Sequence, residues 1–378
     1  MRTRVYLDWN ATTPPLADVI TAMTAAAADA WGNPASVHAH GRAARARVEN
    51  AREAVGALAK VDARDIVLTS GGTEANNLAL RSAFHVRSGA GEAPWLVTSR
   101  LEHPSVTRVA EALAREGLAR VRWLRVTPEG AIDLEDLALA MKAGPVRIIA
   151  LQALNHETGV LQPTHEAAKL AREHGALLHI DAVQAWGKVA IDESDGDTRS
   201  LAAHKMRGPK GVGALLARPG TPLEPVLRGG AQERGIRPGT VDPVACAGLA
   251  VAAKHAASGA ARYAKVAALR DRLEAGWLEA MPGARVNGGG GRAPQVTNVY
   301  VPGFPGPELV AAMDLERVSV SSGSACSAGT SEASPVLTAM LGEARAGASV
   351  RVSLGDATTE EDIVRAVEAF VTVVRRGV

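Results

Sequence analysis

The stretch Ser200-Leu201-Ala202-Ala203-His204-Lys205-Met206-Arg207-Gly208-Pro209-Lys210-Gly211 brings an apolar, strand-like segment up to a histidine–lysine pair and then turns. A lysine at the end of a buried strand is costly unless its charge is removed or paired, and a desolvated amine has a lowered pKa suited to condensation with a carbonyl. Upstream, His179-Ile180-Asp181-Ala182-Val183-Gln184 reads as a second strand carrying a carboxylate to its carboxyl end, 24 residues before Lys205. An amine that can take an aldehyde and an acid that can keep a pyridine nitrogen protonated form the pair that pyridoxal phosphate (PLP) chemistry requires. The competing reading of Lys205 is an exposed loop lysine beside glycines, and that of Asp181 a simple helix cap.

Working outward, apolar runs of strand length recur at Ile66 to Thr69, Leu96 to Ser99, Val121 to Val126, Val146 to Leu151, Ala176 to Asp181 and Val212 to Ala217, separated by segments of helix length. This alternation predicts a mostly parallel sheet with helices on both faces, in which ligands sit beyond the carboxyl ends of the strands. An extended arm ending in Pro14-Pro15, an Ala-rich helix to about Ala30 and a second helix from Val37 to Lys60 precede it. The texture changes near Arg262, where Val266, Leu269, Leu273, Trp277 and Met281 keep helical spacing, followed by strand, helix, strand and helix. Two domains are expected: residues 15–258, and a smaller α/β domain made of 1–14 and 259–378.

At 378 residues and 47% hydrophobic, the chain can bury large cores. A net charge of +2 with no long block of one sign points to neither nucleic acid nor an anionic membrane. The apolar run from Val244 to Ala253 falls short of the ~20 residues that span a bilayer. Met1 to Tyr6 has no apolar h-region, so a cytoplasmic protein without a signal peptide is expected. Two cysteines exclude a disulfide framework or a four-cysteine zinc site. Cys246 lies in a helix-like apolar run and reads as a small core residue, whereas Cys326, among serines and glycines, reads as a thiol exposed enough to react. His38 and His40 have no third ligand at suitable spacing, so no metal site is expected.

Thr69-Ser70-Gly71-Gly72-Thr73-Glu74 ends a strand and opens a helix, which is either an anion site or an ordinary helix start. His103, after Glu102 and before Pro104, could be a surface residue or a proton carrier. Asn155 and Gln184 offer neutral donors for a phenolic oxygen. Arg351, in the strand-like run Ala348 to Leu354, is either paired within the protein or open to a ligand carboxylate.

The motif His204-Lys205-Met206-Arg207-Gly208-Pro209-Lys210-Gly211 resembles the PLP-lysine motif of the cysteine desulfurases (NifS/IscS-like), in class V of the fold-type I PLP-dependent aminotransferases. Further blocks match in order: Tyr6-Leu7-Asp8-Trp9-Asn10-Ala11-Thr12-Thr13-Pro14, Gly32-Asn33-Pro34-Ala35-Ser36, Thr69 to Asn77, Glu102-His103, Asn155-His156-Glu157-Thr158-Gly159, Gly235-Ile236-Arg237-Pro238-Gly239-Thr240, Ser321-Ser322-Gly323-Ser324-Ala325-Cys326 and Arg351-Val352-Ser353-Leu354-Gly355. The 25 residues from Cys326 to Arg351 resemble the longer loop of group I.

The resemblance implies a fold-type I α/β transferase, with a mostly parallel seven-stranded sheet in the large domain and a smaller α/β domain that carries the Cys326 loop. It implies pyridoxal 5'-phosphate on Lys205, with Gly72, Thr73, His204 and a partner subunit's Thr240 at the phosphate. Asp181 is then at the ring nitrogen, Gln184 and Asn155 at the phenolic oxygen, and His103 over the ring as proton carrier. Arg351 and Asn155 would hold the substrate carboxylate, and Cys326 would take sulfur from L-cysteine as a persulfide, leaving L-alanine. A homodimer and a sulfur-acceptor protein, with an iron–sulfur scaffold as one candidate, are the implied partners. Ala202 and Pro238 depart from the family's serines, so one phosphate hydrogen bond is lost or replaced. A selenocysteine lyase, a class V aminotransferase and a degenerate non-catalytic scaffold share most of these motifs.

Overall fold

Short runs of aliphatic residues, nearly all buried, pair into the main sheet of the computed structural model, which describes residues 4–85, 92–192, 195–323 and 333–377. The strands are β1 (Val5–Tyr6), β2 (Ile66–Thr69), β3 (Trp95–Ser99), β4 (Arg120–Leu124), β5 (Val146–Gln152), β6 (Leu177–Asp181), β7 (Thr198–Ala202), β8 (Gly213–Ala217), β9 (Arg285–Val286), β10 (Val296–Tyr300), β11 (Val318–Ser319) and β12 (Ser349–Ser353). Seven of them form one sheet in the order β2-β8-β7-β6-β5-β3-β4. From β7 to β4 every neighbouring pair is parallel, while β8 runs antiparallel to both β7 and β2. The carboxyl ends of β2, β3, β5, β6 and β7 therefore share one edge, as the alternation of strand and helix runs predicts.

Strand alternation decides which side chains face which helices. Ile66, Leu68, Val97, Ile149, Leu151, Leu178, Ile180 and Leu201 join the core cluster that also contains Val48, Ala51, Val55, Leu137, Ala167 and Leu249. The intervening residues Leu96, Ile148 and Ala150 pack with Leu80, Val106, Val109 and Leu113 on the opposite face. Those last four belong to α3 (Gly72–Ala83) and α4 (Pro104–Arg115), which follow β2 and β3. Because Leu178 and Ile180 point to the first face, His179 and Asp181 point to the second, toward α3. Each fully buried aliphatic side chain here stabilises by roughly 1.5–3 kcal/mol.

A second core contains Val5 and Leu7 from the arm together with Tyr263, Leu273, Trp277, Val299, Val318, Val350 and Phe370. Its sheets are β12-β10-β9 and the parallel pair β1–β11, and Trp277 stacks on Phe370 with ring centroids 4.1 Å apart. The two cores are tied at Asp356, whose carboxylate meets Arg207, His255 and Arg262 at 3.0–3.2 Å. Among the described residues no single helix is long and apolar enough to cross a membrane.

One buried ion pair braces the loop that leads to Thr240. Arg52, from α2 (Ala39–Ala59; α1 is Ala17–Asp29), makes a bidentate contact with Glu233 at 2.7 and 2.8 Å. Glu233 also accepts from the Leu68 amide, and it and Arg234 sit at left-handed φ values of 47° and 59°. Such backbone costs energy and persists only where neighbours over-determine it. Removing one partner of a buried pair leaves an uncompensated charge, so Arg52→Met should cost roughly 3–5 kcal/mol. The check is the urea unfolding midpoint, which should fall for Arg52→Met and recover in large part in Arg52→Met/Glu233→Leu.

Candidate active site

The converging strand ends enclose a cavity of about 270 Å³, near the lower limit of roughly 300 Å³ for small-molecule sites. Each wall follows directly from a strand: Gly72 and Thr73 after β2, His103 after β3, Gln152 at the end of β5, Asp181 at the end of β6, and Ala202, His204 and Lys205 at or after β7. Arg351 from β12 and Asn10 and Ala11 from the arm close the remaining side.

Lys205 ends a single turn of 3-10 helix that continues β7. Its Nζ donates to the carbonyls of Asn10 at 2.6 Å and Ala11 at 2.9 Å. Asp181 is 8% exposed, and its carboxylate accepts from Asn76 Nδ2 at 2.7 Å, the Val183 amide at 3.1 Å and Ser200 Oγ at 3.2 Å. Asn76 also donates to Ser105 Oγ at 2.8 Å, which lies 2.8 Å from His103 Nδ1. Since the Ser105 amide also donates to Nδ1, the neutral His103 ring carries its proton on Nε2. Burial holds the His103 pKa below its ordinary value despite the opposing pull of Asp181. A hydrogen-bonded chain thus joins the acid at β6 to the histidine at β3.

The start of α3 is built as an anion cradle. First-turn amides have no intrahelical acceptor, and Gly72 and Thr73 both border the cavity. A side chain at Gly72 would meet Val183 Cγ2 at 2.5 Å, so glycine lets the helix start close over the cavity floor. Glu74, in the same turn, would repel an anion. Burial raises its pKa, but bonds from Arg237 and Ser70 outweigh burial and draw its charge away from the cavity. His204, whose Nδ1 lies 3.1 Å from Thr12 Oγ1, has a pKa pushed down to about 4 by burial first and by Lys205, Lys210 and Lys188 next.

Arg351 is 1% exposed. Its Nη2 pairs with Asp8 at 2.6 Å and its Nη1 donates to the His156 carbonyl, while among the described residues its Nε has no hydrogen-bond partner. The buried acceptor Asn10 Oδ1 likewise has no donor among the described residues. These orphans, the amide cradle and the amine–acid pair fit a group with a phosphate, a carbonyl carbon and a basic ring nitrogen. The donor set therefore suits PLP.

One residue expected in this subunit's own site, Asn155, is not at the cavity wall. Asn155 is fully buried behind it: its Oδ1 accepts from Glu157 and Thr158 and its Nδ2 donates to the Leu101 carbonyl at 3.2 Å. Loop closure in Asn155–Gly159 consumes the amide that the motif offers. Thr240 is exposed and borders a different, smaller pocket with Arg237 and Cys246. Gln184 does line the cavity, but its Nε2 already donates to the Asn10 carbonyl at 2.8 Å. Ala202 lines it too and offers no hydroxyl. Cys326 lies outside the described residues; of the described chain on either side, Ser321 exchanges backbone bonds with Arg351, and Ser334 Oγ donates to buried Glu157 at 2.6 Å. Cys246 is buried, and burial pushes its thiol up to about 12, which makes it inert.

Asp8, Asn10, Asn76 and His156 lie inside the matched blocks, which give them no individual role, and Ser105 lies outside them. Asn76 carries one local signal: it lies three residues after Thr73, on the same helix face.

The class-V aminotransferase model matches residues 5–366. The chain belongs to this family, in its cysteine desulfurase branch. It is 40% identical to a cysteine desulfurase of Cereibacter sphaeroides, over 98% of this chain and 96% of that one. Among solved structures, a NifS-like protein superposes with a TM-score of 0.90 at 29% identity, covering 99% of this chain and all of the other. SspA, solved in complex with cysteine, gives 0.81 at 29% identity over 94% of this chain and all of that one. Family membership brings dependence on PLP, and the mostly parallel seven-stranded sheet is the fold-type I architecture.

The depressed pKa of His204 ties stability to pH. Its ordinary value is near 6.5, so between 6.5 and about 4 the unfolded chain binds the proton and the folded chain does not. Folded-state stability from this group is therefore lost as pH falls through that window. The stability advantage of the wild type over His204→Gln at pH 7 should shrink steadily toward pH 4 in urea titrations, and a constant difference would contradict the assignment.

Proposed function

We propose that the protein converts L-cysteine to L-alanine with Lys205 as the cofactor-bearing amine and Cys326 as the sulfur acceptor. The observation that carries this reading is the meeting of Lys205, Asp181, His103, the α3 start and Arg351 in one cavity at the carboxyl edge of the sheet. Bound there, PLP supplies an electron sink for charge developing at the substrate α-carbon.

The chain's own groups do the rest. Asp181, held by Asn76, Ser200 and the Val183 amide, is positioned to keep the ring nitrogen protonated. The Gly72 and Thr73 amides and His204 hold the phosphate. Lys205, once released from covalent duty, moves the α-proton, and its carbonyl partners on Asn10 and Ala11 keep it in place between steps. Arg351 keeps one edge of its fork on Asp8 and turns its remaining donors to the substrate carboxylate. The Cys326 thiolate attacks the substrate sulfur; the C–S bond breaks, an S–S bond forms, and the thiol proton ends on alanine by way of His103 and solvent. No external oxidant is needed. A thiol acceptor then removes the outer sulfur.

The reading carries further proposals. Residues 15–258 form the cofactor-binding unit, and 1–14 with 259–378 the smaller one. Thr240, exposed and remote from its own cavity, completes the phosphate site of a second subunit in a homodimer. A cytoplasmic setting would keep Cys326 reduced, and the sulfur would pass to an acceptor protein such as an iron–sulfur scaffold.

Alanine and sulfide release from L-cysteine with and without a reductant tests the reaction. Cys326→Ala should keep the cofactor's visible band yet lose sulfide output by ~100-fold or more, as expected for loss of a covalent nucleophile; wild-type output would refute its role. Arg351→Ala should raise KM for L-cysteine far more than it lowers kcat, with initial rates over a cysteine series as the check.

A further inference from the structure

Lys188 is a buried amine that the reaction above does not use. It follows Trp186 and Gly187 in the turn after β6, and it is 3% exposed. Among the described residues its Nζ makes one hydrogen bond, to Gln184 Oε1 at 2.9 Å, and no carboxylate pairs with it. A lysine buried without an anion is expensive and is rarely retained for stability alone.

Its surroundings point toward the cofactor cavity. Gln184 lines that cavity whereas Lys188 does not. Gln184 Nε2 donates to the Asn10 carbonyl at 2.8 Å, and the same carbonyl accepts from Lys205 Nζ at 2.6 Å. An ammonium has donors only, so it takes the amide oxygen and leaves the NH2 group on the cavity side. Without it the Gln184 amide could turn over, presenting an oxygen to the Asn10 carbonyl and to any cofactor oxygen. The titratable and charged groups that share this region are Lys205, His204 and Asp356, with Arg207, His255, Arg262 and Tyr263 around the small cavity on the far side of Lys188.

We propose that Lys188 is a positioning residue for the cofactor: it locks the Gln184 amide with its donors toward the cavity. The lock stands on the hydrogen bonds from Lys188 Nζ to Gln184 Oε1 and from Gln184 Nε2 to the Asn10 carbonyl. Burial, then repulsion from Lys205, brings the Lys188 pKa down to about 7 against the opposing pull of Asp356, and the amine keeps N–H donors for the amide oxygen in either protonation state.

The proposal rests on the reading of Lys205 as the PLP-bearing amine, and its test separates the two. The readout is the visible absorbance of purified holoprotein titrated with pH, in wild type, Lys188→Met and Lys188→Arg. Lys188→Met should move the titration midpoint upward by about half a pH unit or more, as expected when a donor facing the cofactor's phenolic oxygen is turned away. Lys188→Arg, which keeps charge and donors, should return toward the wild-type midpoint. Should Lys188→Met not fold, Lys188→Leu removes the same donors and must show the same upward shift. A coloured Lys188→Met or Lys188→Leu protein with an unmoved midpoint overturns the proposal alone. A wild-type protein that gains no colour with added PLP overturns the Lys205 reading, and this one with it.

Discussion

Two backbone carbonyls, those of Asn10 and Ala11, hold the Lys205 amine, and much of the site depends on where they are. The arm that carries them is anchored on both sides. Asn10 accepts from Gln184 and its amide donates to Ser353 Oγ, while the Thr13 hydroxyl and amide donate to the His204 carbonyl. A segment tied in this way to β12 and to the lysine turn is a clamp between the two cores. It sets the distance between Lys205, which belongs to the large sheet, and Arg351, which belongs to the small one.

Polar groups are buried here at a cost that only function and complete pairing can justify. Asp181, Asn76, Ser105, His103, His179 and Thr198 form one hydrogen-bonded network under the cavity, and most of its members are nearly inaccessible. Burial drives His179 down to about 4 and keeps His103 and His204 neutral as well. Neutral imidazoles leave the α3 amides and Lys205 to handle the charge of an anionic ligand. Asn10 Oδ1 and Arg351 Nε, which have no hydrogen-bond partner among the described residues, belong to residues that line the cavity, where a ligand can satisfy them.

Two departures from the family pattern acquire a physical setting. Ala202 closes β7 against Gly213, whose own Cβ would strike the Leu201 carbonyl at 2.3 Å, so this corner is packed by backbone and has given up a hydroxyl. Pro238 is buried within the loop that the Arg52–Glu233 pair braces. Rigidity in that loop comes from a bidentate ion pair and a proline rather than from a polar turn residue.

The pattern of apolar runs determined the sheet and its mostly parallel sense, because strand burial and the spacing of helix-length segments are local properties of the chain. The Lys205 and Asp181 pair was legible for the same reason, since each ends a strand and strand ends converge. Placement across long separations was not legible. Asn76 under Asp181 and Asp8 on Arg351 are contacts between elements whose relative depth depends on tertiary packing, which no local spacing encodes. Asn155 makes the complementary point: a motif names a side chain, but loop closure decides whether that side chain reaches the cavity.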